Sequence, residues 1–388
     1  MPNLRTIDTI FAEAVDRGAI PGVVAMAATD KGPLYEGAFG RRDTSTNVPM
    51  TTDTVVWIAS MTKAITATAA MQLVERGKLA LDAPATAVVP ELSAAKVLEG
   101  FDAAGQPRLR APKRPITLRH LLTHTAGFSY EIWNTAVAQY QAATNTPGIT
   151  TCTNAALTTP LMFDPGDRWE YGINIDWAGK MVEAVAGQRL DRYFQQNILG
   201  PLGMSDTSFK LSPSQQARLS SVHQRSADGT VAPIEFGIPQ EPEFFMGGGG
   251  LYGTAGDYLK FAQMIMHGGT FKGTPILRPD TVEQMAQNHI GPIEIEPMTT
   301  AIPPLSNSVE LFPGMSKKWG LSFLINTQAL PTGRSAGSLA WAGLANTYFW
   351  IDRTKQVCGV FASQLLPFYD DTAIDLLTKF ETEVYRAL

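Results

Sequence analysis

The chain has 388 residues, 44% hydrophobic and 17% charged, and a formal net charge of -5 with no basic block or acidic tail. Such a chain can bury a full core as one large domain or two intimate ones. Its charge excludes the basic footprint expected of a protein that binds nucleic acid or an anionic membrane surface.

The opening Met1-Pro2-Asn3-Leu4-Arg5 carries no apolar signal core, so a cytoplasmic location is expected. Ile7, Ile10, Phe11, Ala14 and Val15 then form a helical stripe that ends at Gly18. Val23 to Ala28 and Leu34 to Phe39, joined by Asp30-Lys31-Gly32, predict an antiparallel hairpin. Val55 to Ala59 reads as a buried strand, and Ala64 to Val74 as a helix apolar all round, hence a central one. The stretch from Thr54 to Val74 has spanning length, but its threonines and Lys63 assign it to a soluble core.

From about 83 to 230 the pattern is mostly helical, with Pro-rich loops such as Ala111-Pro112-Lys113-Arg114-Pro115. Trp319 to Asn326, Thr347 to Ile351 and Val357 to Ala362 predict three strands, and Thr372 to Leu388 a terminal helix. Strands at both ends with helices between them imply an α/β (α+β) chain, with one antiparallel sheet flanked by helices and a helical region packed beside it. The expected division is a discontinuous domain of residues 1–82 and 231–388, a helical domain of 83–230, and an active site in the cleft between them. Cys152 and Cys358 form no C-x-x-C and read as reduced thiols, although sequence alone also allows a disulfide between them.

Lys63 is the only charged residue between Asp53 and Glu75, and it lies three positions after Ser60 at the head of the apolar stretch. On a helix that spacing puts both side chains on one face. Burial disfavours the ammonium, and a partly deprotonated lysine can take the serine proton, so the pair reads as an activated nucleophile for acyl transfer. S-x-x-K alone is weak, since about one copy arises by chance in a chain this long. A second copy, Ser93-Ala94-Ala95-Lys96, sits in a polar, turn-flanked segment and reads as surface.

Three other motifs compete. Gly333-Arg334-Ser335-Ala336-Gly337 matches the nucleophile elbow G-x-S-x-G, but no histidine follows it, His289 being the last, and an extended segment follows where a helix is needed. His120 and His124 are spaced like zinc ligands, yet no glutamate stands at 121 and no third ligand is evident, so no metal is expected. Gly248, Gly250 and Gly253 fit G-x-G-x-x-G without the alternating strands and helices of a dinucleotide fold. They read instead as tight turns or close approach to the cleft, before a helix capped near Thr254.

Taken together, Ser60-x-x-Lys63, His120-Leu121-Leu122-Thr123-His124-Thr125-Ala126-Gly127, Trp169-Glu170-Tyr171-Gly172 and Trp341-Ala342-Gly343 resemble, in order and spacing, the serine β-lactamase and penicillin-binding superfamily. The chain looks most like the family VIII carboxylesterases and also the fungal acyltransferase that finishes lovastatin. Val97-Leu98-Glu99-Gly100-Phe101-Asp102 and Asp176-Trp177-Ala178-Gly179-Lys180 are similar to that group. The resemblance implies a β-lactamase/transpeptidase-like fold, Ser60 attacking an ester carbonyl, and Lys63 and the Tyr171 phenol sharing the proton. It also implies an oxyanion hole from the N–H groups of Ser60 and Leu344, Trp341 and Gly343 against the substrate, and no cofactor.

Two departures bear on substrate. Penicillin-handling members carry a cation where this chain has Trp341, and the asparagine expected two residues after Tyr171 is replaced by Ile173, with Asn174 one residue late. Losing a cation and an amide while gaining an indole should weaken anionic β-lactam binding and suit apolar acyl esters. The expected activity is therefore a carboxylesterase cleaving small-molecule esters with short-to-medium acyl groups. The alternatives are an acyltransferase to an alcohol or amine, a β-lactamase or D-amino-acid peptidase, and a non-catalytic sensor. Trp133, Tyr130 and Phe128 follow the histidine segment and could line an acyl pocket or belong to the core; oligomeric state carries no signal.

Overall fold

The computed structural model describes residues 4–388, so the opening Met1-Pro2-Asn3 lies outside the described residues. Its centre is a seven-stranded sheet of β1 (Gly22–Thr29), β2 (Gly32–Gly40), β3 (Lys317–Trp319), β4 (Leu324–Asn326), β5 (Leu339–Gly343), β6 (Thr347–Asp352) and β7 (Val357–Ala362), in the order β3-β4-β5-β6-β7-β1-β2. All neighbours pair antiparallel. The strands that read as continuous apolar runs, β6 and β7, are buried at every residue and lie inside the sheet, where both faces are covered.

Helices α1 (Arg5–Asp16), α2 (Thr62–Glu75), α3 (Leu118–Leu122), α4 (Thr135–Thr144), α5 (Asn174–Ala186), α6 (Ala255–Met266) and α7 (Asp371–Arg386) surround this sheet and extend beside it. Phe11 of α1 packs on Phe361 of β7 and on Phe380 of α7, with centroids 6.0 and 5.9 Å apart. From the other face, Tyr258 of α6 approaches Phe349 at 5.0 Å. The expected central helix is α2, buried from Thr62 to Leu73 and packed against α5. Among the described residues no helix is long and apolar enough to cross a membrane. Cys152 and Cys358 are both free and buried.

Two expectations need correction. Trp319 to Asn326 is not one strand but the turn and second arm of the β3–β4 hairpin, with Trp319 opposite Leu324. The turn closes through Gly320 N–H to Phe323 O at 2.8 Å, with Ser322 at φ 72° and its N–H bonded to Leu122 O. Leu321 and Phe323 stay fully buried, which is why the apolar run concealed the turn. The mostly helical stretch also holds the hairpin Val97–Phe101 with Pro107–Arg110. The boundary expected at 230 falls within a second hairpin, Val222–Arg225 with Val231–Ile234, whose first strand pairs in parallel with Leu365–Leu366.

Candidate active site

Ser60 sits in a 3-10 turn (Ala59–Met61) that runs into α2, and Ala59 before it takes φ 45°, a left-handed conformation that costs a non-glycine residue energy. One helical turn on, Lys63 is fully buried, and its Nζ donates to Ser60 Oγ at 3.0 Å, Tyr130 OH at 3.1 Å and Gly248 O at 2.6 Å. An ammonium has three N–H bonds and here meets three acceptors. Desolvation lowers the lysine to about 7, against a smaller upward pull from the Asp176 carboxylate. With Gly248 O and Tyr130 OH holding two donors, the free amine presents its lone pair to the Ser60 hydroxyl.

The glycine-rich run docks the site between α2 and α5. Thr66 Oγ1 donates to Gly247 O at 2.7 Å, and Leu251 N–H donates to Thr62 Oγ1 at 3.1 Å. Asp176, in the first turn of α5 and 1% exposed, accepts the Gly248 N–H on Oδ1 at 2.8 Å. Any Cβ on Gly248 would lie 2.5 Å from Asp176 Oδ2, so this glycine serves close approach, as expected of the run. Burial raises the Asp176 carboxyl, while Lys63 and the Gly248 N–H pull it back. Thr254 caps α6 as expected, accepting from Asp257 N–H.

Tyr171 is buried, and Trp341 Nε1 donates to its hydroxyl at 3.0 Å. Burial pushes the phenol well above the ordinary tyrosine range, against smaller pulls from hydrogen bonding to Ser60 and Trp341. The Lys63 Nζ lies 4.7 Å from the Tyr171 ring centroid. Glu170 N–H donates to His124 O at 2.9 Å, tying the tyrosine motif to the histidine segment. Asn174 Nδ2 donates to His124 Nδ1 at 3.0 Å, and burial followed by the Lys63 charge lowers the pKa of His124 well below the usual value, keeping it neutral. That bond also accounts for the displaced asparagine, which turns to the histidine and to Phe128 O. His120 instead forms a capping box with Thr117.

Ser60, Tyr130, Tyr171, Trp341, Gly343 and Leu344 border one pocket of about 120 Å³, closed by Trp57, Ile132, Trp133, Ile149, Phe236, Met246, Met298, Leu305 and Phe368. Gly343 lets the end of β5 lie against the segment leading into Ser60, since a Cβ there would fall 2.4 Å from Ile58 O. Of the three aromatic residues left without a role, Tyr130 and Trp133 line this pocket, whereas Phe128 stacks on Trp177. Ser335 is placed in the Leu330–Ser338 loop, its N–H on Asp352 Oδ2 and its carbonyl accepting from Asn326, and the strand β5 rather than a helix follows it. Ser93 and Lys96 are exposed. The sequence reading missed Asp176 and Tyr130. Asp176 lies between Ile175 and Trp177 but carries a weaker signal than Lys63, since Asn174 precedes it and Lys180 follows four residues on.

Residues 7–382 match the Beta-lactamase family. The chain is 36% identical to the monacolin J acid methylbutanoyltransferase of Aspergillus terreus, over 98% of this chain and 95% of that protein. It is 33% identical to the lovastatin esterase of Penicillium rubens, over 98% of each. Among solved structures, the unliganded simvastatin synthase of Aspergillus terreus superposes with a TM-score of 0.86 at 33% identity, covering 98% of both chains.

Proposed function

The chain belongs to the β-lactamase family, and from that premise we propose that it is a serine carboxylesterase cleaving short acyl esters through an acyl-enzyme on Ser60. The observation that carries this reading is the fully buried Lys63 Nζ, 3.0 Å from Ser60 Oγ with its other two donors already engaged. Lys63 as free amine takes the Ser60 proton as Oγ attacks the ester carbonyl. The N–H groups of Ser60 and Leu344 receive the developing oxyanion. The Tyr171 phenol, neutral at pH 7, gives its proton to the departing alkoxide and is reprotonated from the Lys63 ammonium. Deacylation repeats these transfers with water as nucleophile.

A pocket of about 120 Å³ is comparable to a cavity of roughly 150 Å³ that holds benzene, a size that suits a short or branched acyl group. Trp341, committed to Tyr171 by its N–H, offers no cation for a β-lactam carboxylate. A second reading, transfer of the acyl group to an alcohol, is favoured by the relative named a methylbutanoyltransferase; the relative named an esterase supports water. Partition of the acyl group between water and an added alcohol separates the two.

The test is steady-state hydrolysis of p-nitrophenyl acetate and butyrate, with nitrocefin in parallel, by the wild type, Ser60→Ala and Ser335→Ala. Ester turnover lost only in Ser60→Ala, with poor nitrocefin turnover, is expected. A higher kcat/KM for nitrocefin than for the esters overturns the substrate assignment.

A further inference from the structure

Glu131 follows Tyr130 in the segment that borders the pocket at Ser60, and it is the one acidic residue among those bordering it, which include no lysine, arginine or histidine. The other residues there are aromatic, aliphatic, glycine or uncharged polar. Glu131 Oε1 lies so close to Gly148 that a Cβ there would be 3.0 Å away. Burial raises the Glu131 carboxyl, opposed by hydrogen bonds to its own backbone and to Gln141, and no cation is among the groups acting on it. A largely apolar pocket is thus lined by one carboxyl group together with the aromatic residues Trp57, Tyr130, Trp133 and Phe368, a residue type that attracts cations.

We propose that Glu131 makes this pocket a charge filter: the acyl chain it accepts is neutral or cationic, and an acyl chain ending in a carboxylate is turned away. The proposal rests on the esterase reading and names its substrate class. Like charges in a pocket lined mostly by apolar and aromatic groups repel strongly, and among the described residues no lysine or arginine lines it to offset that repulsion.

The experiment compares three p-nitrophenyl esters of matched chain length: the neutral pentanoate, the glutarate monoester and the 4-(trimethylammonio)butanoate. In the wild type kcat/KM for the cationic ester should exceed that for the anionic one by roughly 10²–10⁴-fold, attraction of the cation and repulsion of the anion each contributing the Coulomb energy of unit charges about 6–10 Å apart at an effective dielectric of ~20. Glu131→Gln and Glu131→Ala should both bring that ratio towards one. A ratio unchanged in either folded variant, or a wild type that prefers the glutarate monoester, overturns the proposal. Absence of pentanoate hydrolysis, or equal hydrolysis by Ser60→Ala, overturns the esterase reading instead.

Discussion

Replacing Asp176 by asparagine should move the pH at which the enzyme switches on. Asp176 Oδ1 holds the Gly248 N–H at 2.8 Å and the Gly248 carbonyl holds Lys63 Nζ at 2.6 Å, so a single glycine separates the two charges. At a separation of about 7 Å and an effective dielectric of ~20 their attraction amounts to about 2 kcal/mol, or one to two pKa units. The carboxylate stabilises the ammonium and therefore raises Lys63; an amide of the same shape still accepts the Gly248 N–H but carries no charge. Lys63 should fall below its present value of about 7. The acidic limb of kcat/KM for p-nitrophenyl butyrate, followed from about pH 5 to about pH 9, should then shift down by one to two units. The apparent values belong to the coupled pair, so the shift rather than either absolute value is the readout. A limb that stays in place or moves upward refutes the reasoning. Asp176→Ala, which also abandons the Gly248 N–H, should lower activity at every pH.

Tyr171→Phe should lower kcat/KM for p-nitrophenyl butyrate by about 10²–10⁴ with little change in KM, the scale of a lost proton carrier; a loss below about tenfold would remove Tyr171 from that role. Trp341→Phe keeps a ring but loses the N–H at 3.0 Å from the Tyr171 hydroxyl; a bond worth about 1 kcal/mol should cost several-fold in kcat, without a gain on nitrocefin. Outside the pocket at Ser60, Arg334 and Glu381 of α7 form a buried ion pair, with side chains 6% and 3% exposed. Glu381→Ala strands the guanidinium and should destabilise the fold by about 3–5 kcal/mol in urea denaturation, whereas an unchanged midpoint would mean the arginine finds water or another partner.

The sequence carried the parts of the site that depend on local chemistry. Ser60 and Lys63 were legible because a lysine without charged neighbours on an apolar helix must be buried, and the apolar runs of β6 and β7 were legible as strands. The motifs pointed to the superfamily to which the chain belongs, while the relatives, named as an acyltransferase and an esterase, leave its branch coarser than the carboxylesterase reading. What depends on distant segments was hidden. Asp176 reaches Lys63 only through Gly248, 72 residues further on, and no local pattern announces that contact. Tyr130, Trp133 and Phe128 look alike in sequence, yet the first two face the pocket and the third packs on Trp177. The β3–β4 turn was missed because its residues are as apolar as the strands they join.

The most direct test of the account is mass spectrometry of protein quenched during turnover of p-nitrophenyl butyrate, with peptide mapping of the modified residue. One butyryl group on Ser60, absent from Ser60→Ala and longer-lived in Tyr171→Phe, is the predicted result. Acylation of another residue, such as Ser335, or full turnover by Ser60→Ala with no acylated protein at any time, would contradict the nucleophile assignment on which every step rests.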